Sequence, residues 1–206
     1  MAEQTVDPSA FFKIGYGLYV VTTNDGVRDN GMICNTVMQV AGEPAKIAIS
    51  INKANYTHEI AKKTGKMNVC TISESAAFSL FQRFGFKSGR DADKFEGVAF
   101  DRSPNGLAVL KDGCNSYFSL EVESYVDLGS HGMFVCAVPD AKVLSGEPTM
   151  TYAFYHANVK PKPAAKPKTK GFVCTICGYI YEGDELPADF ICPLCKHPAS
   201  DFKRLE

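Results

Sequence analysis

The chain has 206 residues, of which 45% are hydrophobic and 22% charged, and its formal net charge is −1. These proportions are those of a soluble globular protein, and the near-neutral charge argues against nucleic-acid binding, which needs an excess of Lys and Arg. No apolar run approaches the ~18 residues that cross a membrane, and the N-terminus lacks the pattern of a signal peptide. We therefore expect a cytoplasmic protein whose eight cysteines are metal ligands or buried thiols rather than disulfides.

The first 156 residues are predicted to be mainly β. Runs rich in Val, Ile, Thr and aromatic residues predict strands at Tyr16–Thr23, Met32–Val40, Lys46–Ile51, Met67–Ile72, Tyr117–Val122 and Met133–Val138. Two helices are predicted at about Asn55–Lys63 and Ala76–Phe84, with Ser75 as a cap of the second. Residues 85–106 are rich in Gly and charge and predict a long loop. Many short strands with two helices favour a barrel over a doubly wound sheet.

Two segments of this domain have the composition of a nucleotide site, although the sequence contains neither a dinucleotide fingerprint nor a phosphate loop. The run Gly31-Met32-Ile33-Cys34-Asn35-Thr36 enters a strand whose backbone, Asn and Thr groups could hydrogen-bond a flat heterocycle. The run Ser50–His58 opens a helix, where hydroxyls, a lysine and free N–H groups form a natural phosphate site. From the residues alone, a lysine at such a position is more often a surface residue, as Lys53 would be, and a threonine such as Thr57 is more often a capping residue.

Four single cysteines, Cys34, Cys70, Cys114 and Cys136, are scattered over the first 140 residues. Cys34 lies within the strand that could contact a heterocycle, where a redox role would need a second thiol. Because no other cysteine is near it in sequence, we interpret it as a small buried side chain. The other three are interpreted in the same way.

Residues 157–170 contain five lysines and three prolines and almost no apolar side chain, which predicts a linker. The net charge changes sign at the linker and again after it. Residues 1–156 carry 14 basic and 17 acidic groups, the linker carries a charge of +5, and residues 171–206 carry 3 basic and 6 acidic groups. The sequence therefore predicts a first domain over residues 1–156, a linker over 157–170 and a second domain over 171–206.

The second domain contains two Cys-x-x-Cys pairs, Cys174 with Cys177 and Cys192 with Cys195. Each such turn directs two sulfurs toward one ion, and two turns complete a tetrahedral cage of four sulfurs. Four cysteines at paired spacing in a short segment have no packing explanation, so a metal site is expected. The spacing leaves iron and zinc open.

The residues around these cysteines resemble rubredoxin. The resemblance rests on Phe172-Val173-Cys174-Thr175-Ile176-Cys177-Gly178-Tyr179-Ile180-Tyr181, on Leu186–Cys195 and on Asp201-Phe202. It implies one iron that carries single electrons, with zinc as a substitute, and a small aromatic core of Tyr179, Tyr181, Phe190 and Phe202. The segment between the pairs is shorter than in most rubredoxins. Lys196 replaces the usual glycine, and we expect it to alter one N–H···S bond.

The first domain is similar to the flavin reductase-like, FMN-binding split-barrel family. The matching runs are Val20-Val21-Thr22-Thr23, Gly31-Met32-x-x-Asn35-Thr36, Lys53-x-x-x-Thr57-His58, Phe86-Lys87-Ser88-Gly89-Arg90-Asp91-x-Asp93-Lys94-Phe95, Gly129-Ser130-His131 and Thr151–His156. The resemblance implies a homodimer with FMN near the subunit interface. It implies cofactor contacts from Gly31, Met32, Ile33, Cys34, Asn35, Thr36, Ser50, Asn52, Lys53, Thr57 and His58.

His131 corresponds to the histidine of the family's Gly-Asp-His turn, near the flavin or the nicotinamide, and is the candidate catalytic residue. Ser130 replaces the Asp of that turn, so a purely structural hydrogen bond is the alternative role for His131.

The fusion of these domains resembles the high-molecular-weight rubredoxins. It implies that electrons from NAD(P)H pass between FMN and iron and reach a flavodiiron-type reductase of oxygen or nitric oxide. A separate rubredoxin reductase is an alternative donor. Two other functions are consistent with the sequence: an NAD(P)H:flavin oxidoreductase that releases reduced flavin and has a structural zinc ribbon, or a flavin-storage protein.

Overall fold

A computed structural model describes residues 6–161 and 171–205. The chain divides into two compact units, Met1–Ala157 and Asn158–Glu206. In the part of the chain that is described, no helix is long and apolar enough to cross a membrane.

The first unit is built on a seven-stranded antiparallel sheet. In chain order its elements are a 3-10 helix (Pro8–Lys13), β1 (Tyr19–Asn24), β2 (Asp29–Cys34), β3 (Val37–Gly42), β4 (Ala45–Asn52), α1 (Tyr56–Thr64), β5 (Lys66–Ile72), α2 (Phe78–Gly85), β6 (Phe100–Arg102), β7 (Ala108–Leu110), β8 (Cys114–Asp127), β9 (His131–Val143), α3 (Tyr152–Phe154) and a π-helical turn (Tyr155–Val159). The sheet order is β2-β1-β5-β8-β9-β4-β3, and β6 pairs with β7. The predicted mainly β class with a few helices is confirmed.

The core lies against the central strands, which contribute one apolar face each. Its fully buried members include Val21 of β1, Ile49 of β4, Met67 of β5, Leu120 of β8 and Phe134 of β9. The predicted burial of the four single cysteines is confirmed, since each is at most 5% exposed.

The β8–β9 hairpin places the predicted Gly-Ser-His turn beside the end of β4. Gly129 has a left-handed φ of 78°, and its N–H donates to Asp127 Oδ1 at 2.8 Å. The turn closes when Leu128 N–H donates to the carbonyl of His131. His131 then pairs with Asn52 in the β4–β9 ladder.

Helix α1 begins at Tyr56 after Asn55, whose side chain makes no capping hydrogen bond. It ends at Gly65, which has a left-handed φ of 68° and donates its N–H to Ala61 O, as a helix-terminating glycine does. The alternative role of Thr57 as the cap is wrong, because Thr57 lies inside the first turn.

Three sequence-based boundaries are wrong. Met32–Val40 is two strands, because the chain turns at Asn35 and Thr36 between β2 and β3. Strands β8 and β9 are 14 and 13 residues long, and so extend well beyond the two predicted runs. Ser75 does not cap α2, whose N-cap is Ala77. The Ser75 hydroxyl bonds to Glu147 instead.

The second unit contains a small sheet of β10 (Gly171–Cys174), β11 (Ile180–Glu182) and β12 (Phe202–Leu205), in the order β11-β10-β12. The predicted aromatic core is present, since the ring of Phe190 lies 6.3, 4.7 and 5.4 Å from the rings of Tyr179, Tyr181 and Phe202. The π-helical turn extends into the first residues of the predicted linker. Residues 162–170 of that linker lie outside the described residues.

Candidate functional site

The four cysteines of the second unit form one compact site. All four are buried, and their sulfurs lie within 4.8 Å of one another. The shortest pairs are Cys174 with Cys195 at 3.6 Å and Cys177 with Cys192 at 3.5 Å. A tetrahedral ion with metal–sulfur bonds of about 2.3 Å separates its ligands by about 3.8 Å. The sulfur positions therefore fit a four-coordinate metal ion, as predicted from the sequence for these four cysteines.

The two Cys-x-x-Cys turns repeat one hydrogen-bond pattern. In the first turn Gly178 N–H donates to Cys174 O at 2.9 Å, and Tyr179 N–H donates to Cys177 Sγ. In the second, Lys196 N–H donates to Cys192 O at 2.9 Å, and His197 N–H donates to Cys195 Sγ. These N–H groups stabilise negative charge on the sulfurs, which a metal-bound thiolate requires.

The expectation that Lys196 alters an N–H···S bond is wrong. The N–H of Lys196, like that of Gly178, donates to the carbonyl of the first cysteine of its turn. It can do so because Lys196 adopts the left-handed conformation, with φ of 63°. The lysine therefore keeps the hydrogen-bond pattern and takes on the strain that a glycine would avoid.

The candidate flavin site of the first unit is a cavity of about 390 Å³ beside β2. It is lined by Met32 and Ile33 of β2, by the start of α1 and by the loop segment Phe86–Gly89. Because α1 begins without a side-chain cap, its first N–H groups retain the capacity to bind an anion. The cavity thus combines a strand edge, a helix N-terminus and a polar loop.

Asn30 and Gly89 meet at the wall of this cavity. Asn30 is 2% exposed and donates from Nδ2 to Thr57 Oγ1 at 2.8 Å, while its Oδ1 has no partner among the described residues. A Cβ placed on Gly89 would lie 1.9 Å from that oxygen, so the glycine permits the close approach. A buried acceptor without a partner fits a site that binds a hydrogen-bonding ligand.

Lys94 is the buried cation of the same cavity. Its Nζ donates to the carbonyls of Gly31 at 2.9 Å and Phe84 at 3.2 Å. Burial lowers the pKa of Lys94 to about 8. The ammonium therefore ties β2 to α2 and places positive charge behind the strand that was predicted to contact the flavin ring.

The cavity continues along β2. A neighbouring space of about 270 Å³ shares Ile33, Gly85 and Phe86 with it and reaches Asn35 and Tyr152. The two spaces form a groove along the Met32–Thr36 segment. Such a groove, partly apolar and partly polar, has the character of a cofactor site.

Of the predicted cofactor contacts, Met32, Ile33, Asn35 and Thr57 line the groove. Several others have partners within the protein. The carbonyl of Gly31 accepts from Lys94, Thr36 Oγ1 donates to Ser50 O at 2.5 Å, and Asn52 Oδ1 accepts from Ala54 N–H.

Lys53 forms an ion pair with Asp127, with 2.5 Å between Nζ and Oδ1, on the exposed side of the β8–β9 turn. His58 Nε2 lies 3.2 Å from the Tyr125 hydroxyl, and its ring packs against Phe134. Burial, together with the charges of Lys62 and Lys53, lowers the pKa of His58. Both side chains thus have structural partners in the described chain.

Cys34 belongs to the apolar core. Burial raises the pKa of its thiol, and the hydroxyl of Thr36 lies 3.3 Å from the sulfur. A thiol with a raised pKa is a poor nucleophile, which supports the interpretation of Cys34 as a packing residue.

His131 lies at the start of β9, where its Nδ1 is 2.9 Å from Ser130 Oγ. It lines neither space of the groove. Ser130, which replaces the acidic residue of the family turn, therefore supplies the hydrogen-bond partner of this histidine.

Comparison with known proteins decides the family. The chain matches the flavin reductase like domain over residues 11–162 and the rubredoxin-like domain of rubrerythrin over residues 172–203. This chain belongs to the flavin reductase-like family. Its C-terminal unit is rubredoxin-like, and the combination is consistent with electron transfer.

The relatives of this flavin reductase-like chain include one that it matches over nearly the full length of both proteins. The high molecular weight rubredoxin of Moorella thermoacetica is 36% identical over 97% of this chain and 100% of that protein. The ferric-chelate reductase (NAD(P)H) of Archaeoglobus fulgidus is 35% identical over 76% of this chain and 93% of that protein.

Solved structures confirm the predicted fold class. The FMN-binding protein from Thermus thermophilus with bound 1-cyclohex-2-enone superposes with a TM-score of 0.63 at 20% identity, over 71% of this chain and 80% of that one. At this identity the likeness shows the split-barrel fold alone.

Sequence reasoning did not assign Asn30, Gly89 or Lys94 to the site, although the last two lie in a run that matches the family. Gly89 and Lys94 reach the groove because the loop after α2 folds back against β2, which contains Asn30, and no local pattern encodes that contact.

Proposed function

We propose that this protein passes electrons between FMN in the first unit and one iron in the second. The observation that carries the proposal is the cage of four sulfurs, 3.5 to 3.6 Å apart in its closest pairs, in a chain whose other unit has a flavin reductase fold. FMN supplies exchange of one or two electrons when bound, and a four-sulfur iron supplies exchange of one. Together they convert paired electrons into single ones.

The groove residues would hold the FMN. The uncapped start of α1, Thr57 and Ser88 would bind the phosphate, and the free Oδ1 of Asn30 would accept a hydrogen bond from the cofactor. Met32, Ile33 and Asn35 would contact the ring. Lys94 keeps positive charge near it, which favours a ring that gains negative charge on reduction.

Iron is proposed over zinc because the second unit has the rubredoxin aromatic cluster. It also has N–H donors aimed at the sulfurs. With iron bound, such donors would tune its potential. The same donors would also stabilise zinc-bound thiolates, so the preference for iron rests on the aromatic cluster and the rubredoxin-like sequence.

NAD(P)H is the proposed source of electrons, directly or through a rubredoxin reductase. A relative is named for NAD(P)H-dependent reduction of ferric chelates, which supports nicotinamide-driven delivery of electrons to iron. The proposed acceptor is a flavodiiron-type reductase of oxygen or nitric oxide, and the proposed assembly is a homodimer in the cytoplasm. In this assembly His131 would approach the flavin or the nicotinamide.

Metal analysis and visible spectroscopy of the full chain test the proposal. Protein purified without added metal is expected to contain one iron and one FMN per chain and to be red over a yellow flavin spectrum, with both colours bleached by NADH under anaerobic conditions. One zinc with no iron would contradict the proposal and favour a flavin reductase with a structural ribbon.

A further inference from the structure

A second cavity of about 860 Å³ lies beside the flavin groove. Phe11, Ile14 and Gly15 near the N-terminus form one side, and Tyr16, Tyr152 and His156 give it aromatic walls. The volume is within the range of about 300–1,000 Å³ that small-molecule sites occupy. Among the ten described residues that line it there is no Lys, Arg, Asp or Glu.

The aromatic walls are fixed by backbone hydrogen bonds. Tyr152 N–H donates to Tyr16 O at 2.8 Å, and Gly17 bridges to Thr151. Thr151 Oγ1 then caps α3 by accepting from Phe154 N–H. The rings of Tyr16 and Tyr152 meet edge to face at 6.5 Å. The cavity is therefore preformed, which lowers the entropy lost on binding.

Asn35 and Tyr152 connect this cavity to the flavin groove, because both residues also line the space that contains Ile33. Whatever occupies the cavity thus lies next to the strand segment proposed to contact the flavin ring. At the outer side, Phe11 and Ile14 are 58% and 50% exposed and offer apolar surface to a ligand.

We infer that this cavity binds a neutral, planar quinone with an apolar substituent, which the flavin reduces. Aromatic walls suit a flat ring, and the exposed Phe11 and Ile14 suit the substituent. A nicotinamide dinucleotide does not suit the cavity, because its phosphates would meet no cation there. The inference rests on the proposed function, since it needs a reducible flavin in the groove.

The reaction balances with NADH as the reductant. NADH gives two electrons and one proton to the flavin, the quinone takes the two electrons and two protons, and the second proton comes from solvent. The products are NAD⁺ and the hydroquinone, and the flavin returns to its oxidised form.

Gly15→Leu tests the assignment in the full-length holoprotein. A Cβ at Gly15 meets no atom within 4 Å, so the leucine should fill cavity space without disturbing the backbone. Gly146→Leu is the matched control, because Gly146 also faces open space and does not line the cavity. The expected result is a KM for menadione raised about tenfold in Gly15→Leu only, with flavin reduction by NADH unchanged.

A charged probe gives a second, independent readout. The uncharged lining predicts that the wild type reduces 1,4-naphthoquinone with a kcat/KM about tenfold above that of its 2-sulfonate. Equal values for the two quinones, or an unchanged menadione KM in Gly15→Leu with normal flavin reduction, would overturn the cavity assignment alone. If the wild type is a dimer and Gly15→Leu is a monomer, the cavity is filled by a second copy of the chain. That result would also overturn the assignment of the cavity to a quinone. A chain that binds no flavin would overturn this inference together with the proposed function.

Discussion

Asn30 donates from its carboxamide nitrogen to the hydroxyl of Thr57 at 2.8 Å and presents its unpaired oxygen to Gly89. This contact joins β2 to the first turn of α1 and fixes one wall of the flavin groove. The carboxamide therefore has its nitrogen anchored, while its oxygen has no hydrogen-bond partner among the described residues.

Gly89→Ala should displace that oxygen, because the new Cβ would lie 1.9 Å from it. Loss of one hydrogen bond to the cofactor corresponds to about 1–1.5 kcal/mol, or roughly a tenfold weaker FMN affinity. Fluorescence titration of the flavin-free protein with FMN measures this, with Gly42→Ala as the control because Gly42 faces open space. Equal FMN affinities in the two variants would show that Asn30 does not contribute to FMN binding.

Lys94 should make the first unit more stable as the pH rises from about 8 to 10.5. Burial lowers the folded-state pKa of Lys94 to about 8 from 10.5, so between these values the unfolded chain binds more protons. Stability then rises with pH across this window, by about 3 kcal/mol at most. Below pH 8 the ammonium is charged in both states and the increase is absent.

Denaturant unfolding of Lys94→Met across that window measures the effect, and the rise should disappear. Lys87→Met, an exposed lysine of the same loop, should retain the rise. If the free energy of unfolding rose with pH equally in wild type and Lys94→Met, the Lys94 ammonium would not be the cause of the rise.

Lys196→Gly should stabilise the metal unit. The left-handed conformation of Lys196 costs about 1–2 kcal/mol for a residue with a Cβ, and glycine loses about 0.4–1 kcal/mol through the unfolded state, so the net gain is about 0.8 kcal/mol at the middle of these ranges and about 1.6 kcal/mol at most. The midpoint of thermal bleaching of the metal chromophore should rise accordingly. Gly178→Ala, the reciprocal change at φ of 79°, should lower it, and no shift in either variant would contradict the strain argument.

The strands and the metal ligands could be predicted from sequence because their patterns are local. The alternation in β4 and the paired spacing of the four cysteines each specify a structure within a few residues. The break at Asn35 and Thr36 was missed because β-formers lie on both sides of it and Asn35 is the only turn-forming residue there. The turn is stabilised by the hydrogen bond from Thr36 to Ser50.

The direction of side chains around the flavin groove was harder to predict. Lys53 and His58 lie in the proposed phosphate segment, yet they bond to Asp127 and Tyr125 of β8. These partners lie about 70 residues away along the chain. Asn30 was missed for the opposite reason, since an Asn in a Gly- and Asp-rich turn is typical of loops and nothing local shows that its side chain is buried.

The central claim is that iron lies downstream of FMN, and Cys174→Ser tests it most directly. This variant removes one of the four sulfur ligands, whereas the control Cys136→Ala changes a buried thiol of the first unit. In anaerobic assays with NADH, we expect Cys174→Ser to keep its rate of flavin reduction and to lose cytochrome c reduction, while Cys136→Ala keeps both. Cytochrome c reduction at the wild-type rate in Cys174→Ser would contradict the account, because electrons would then leave the protein without passing through the metal.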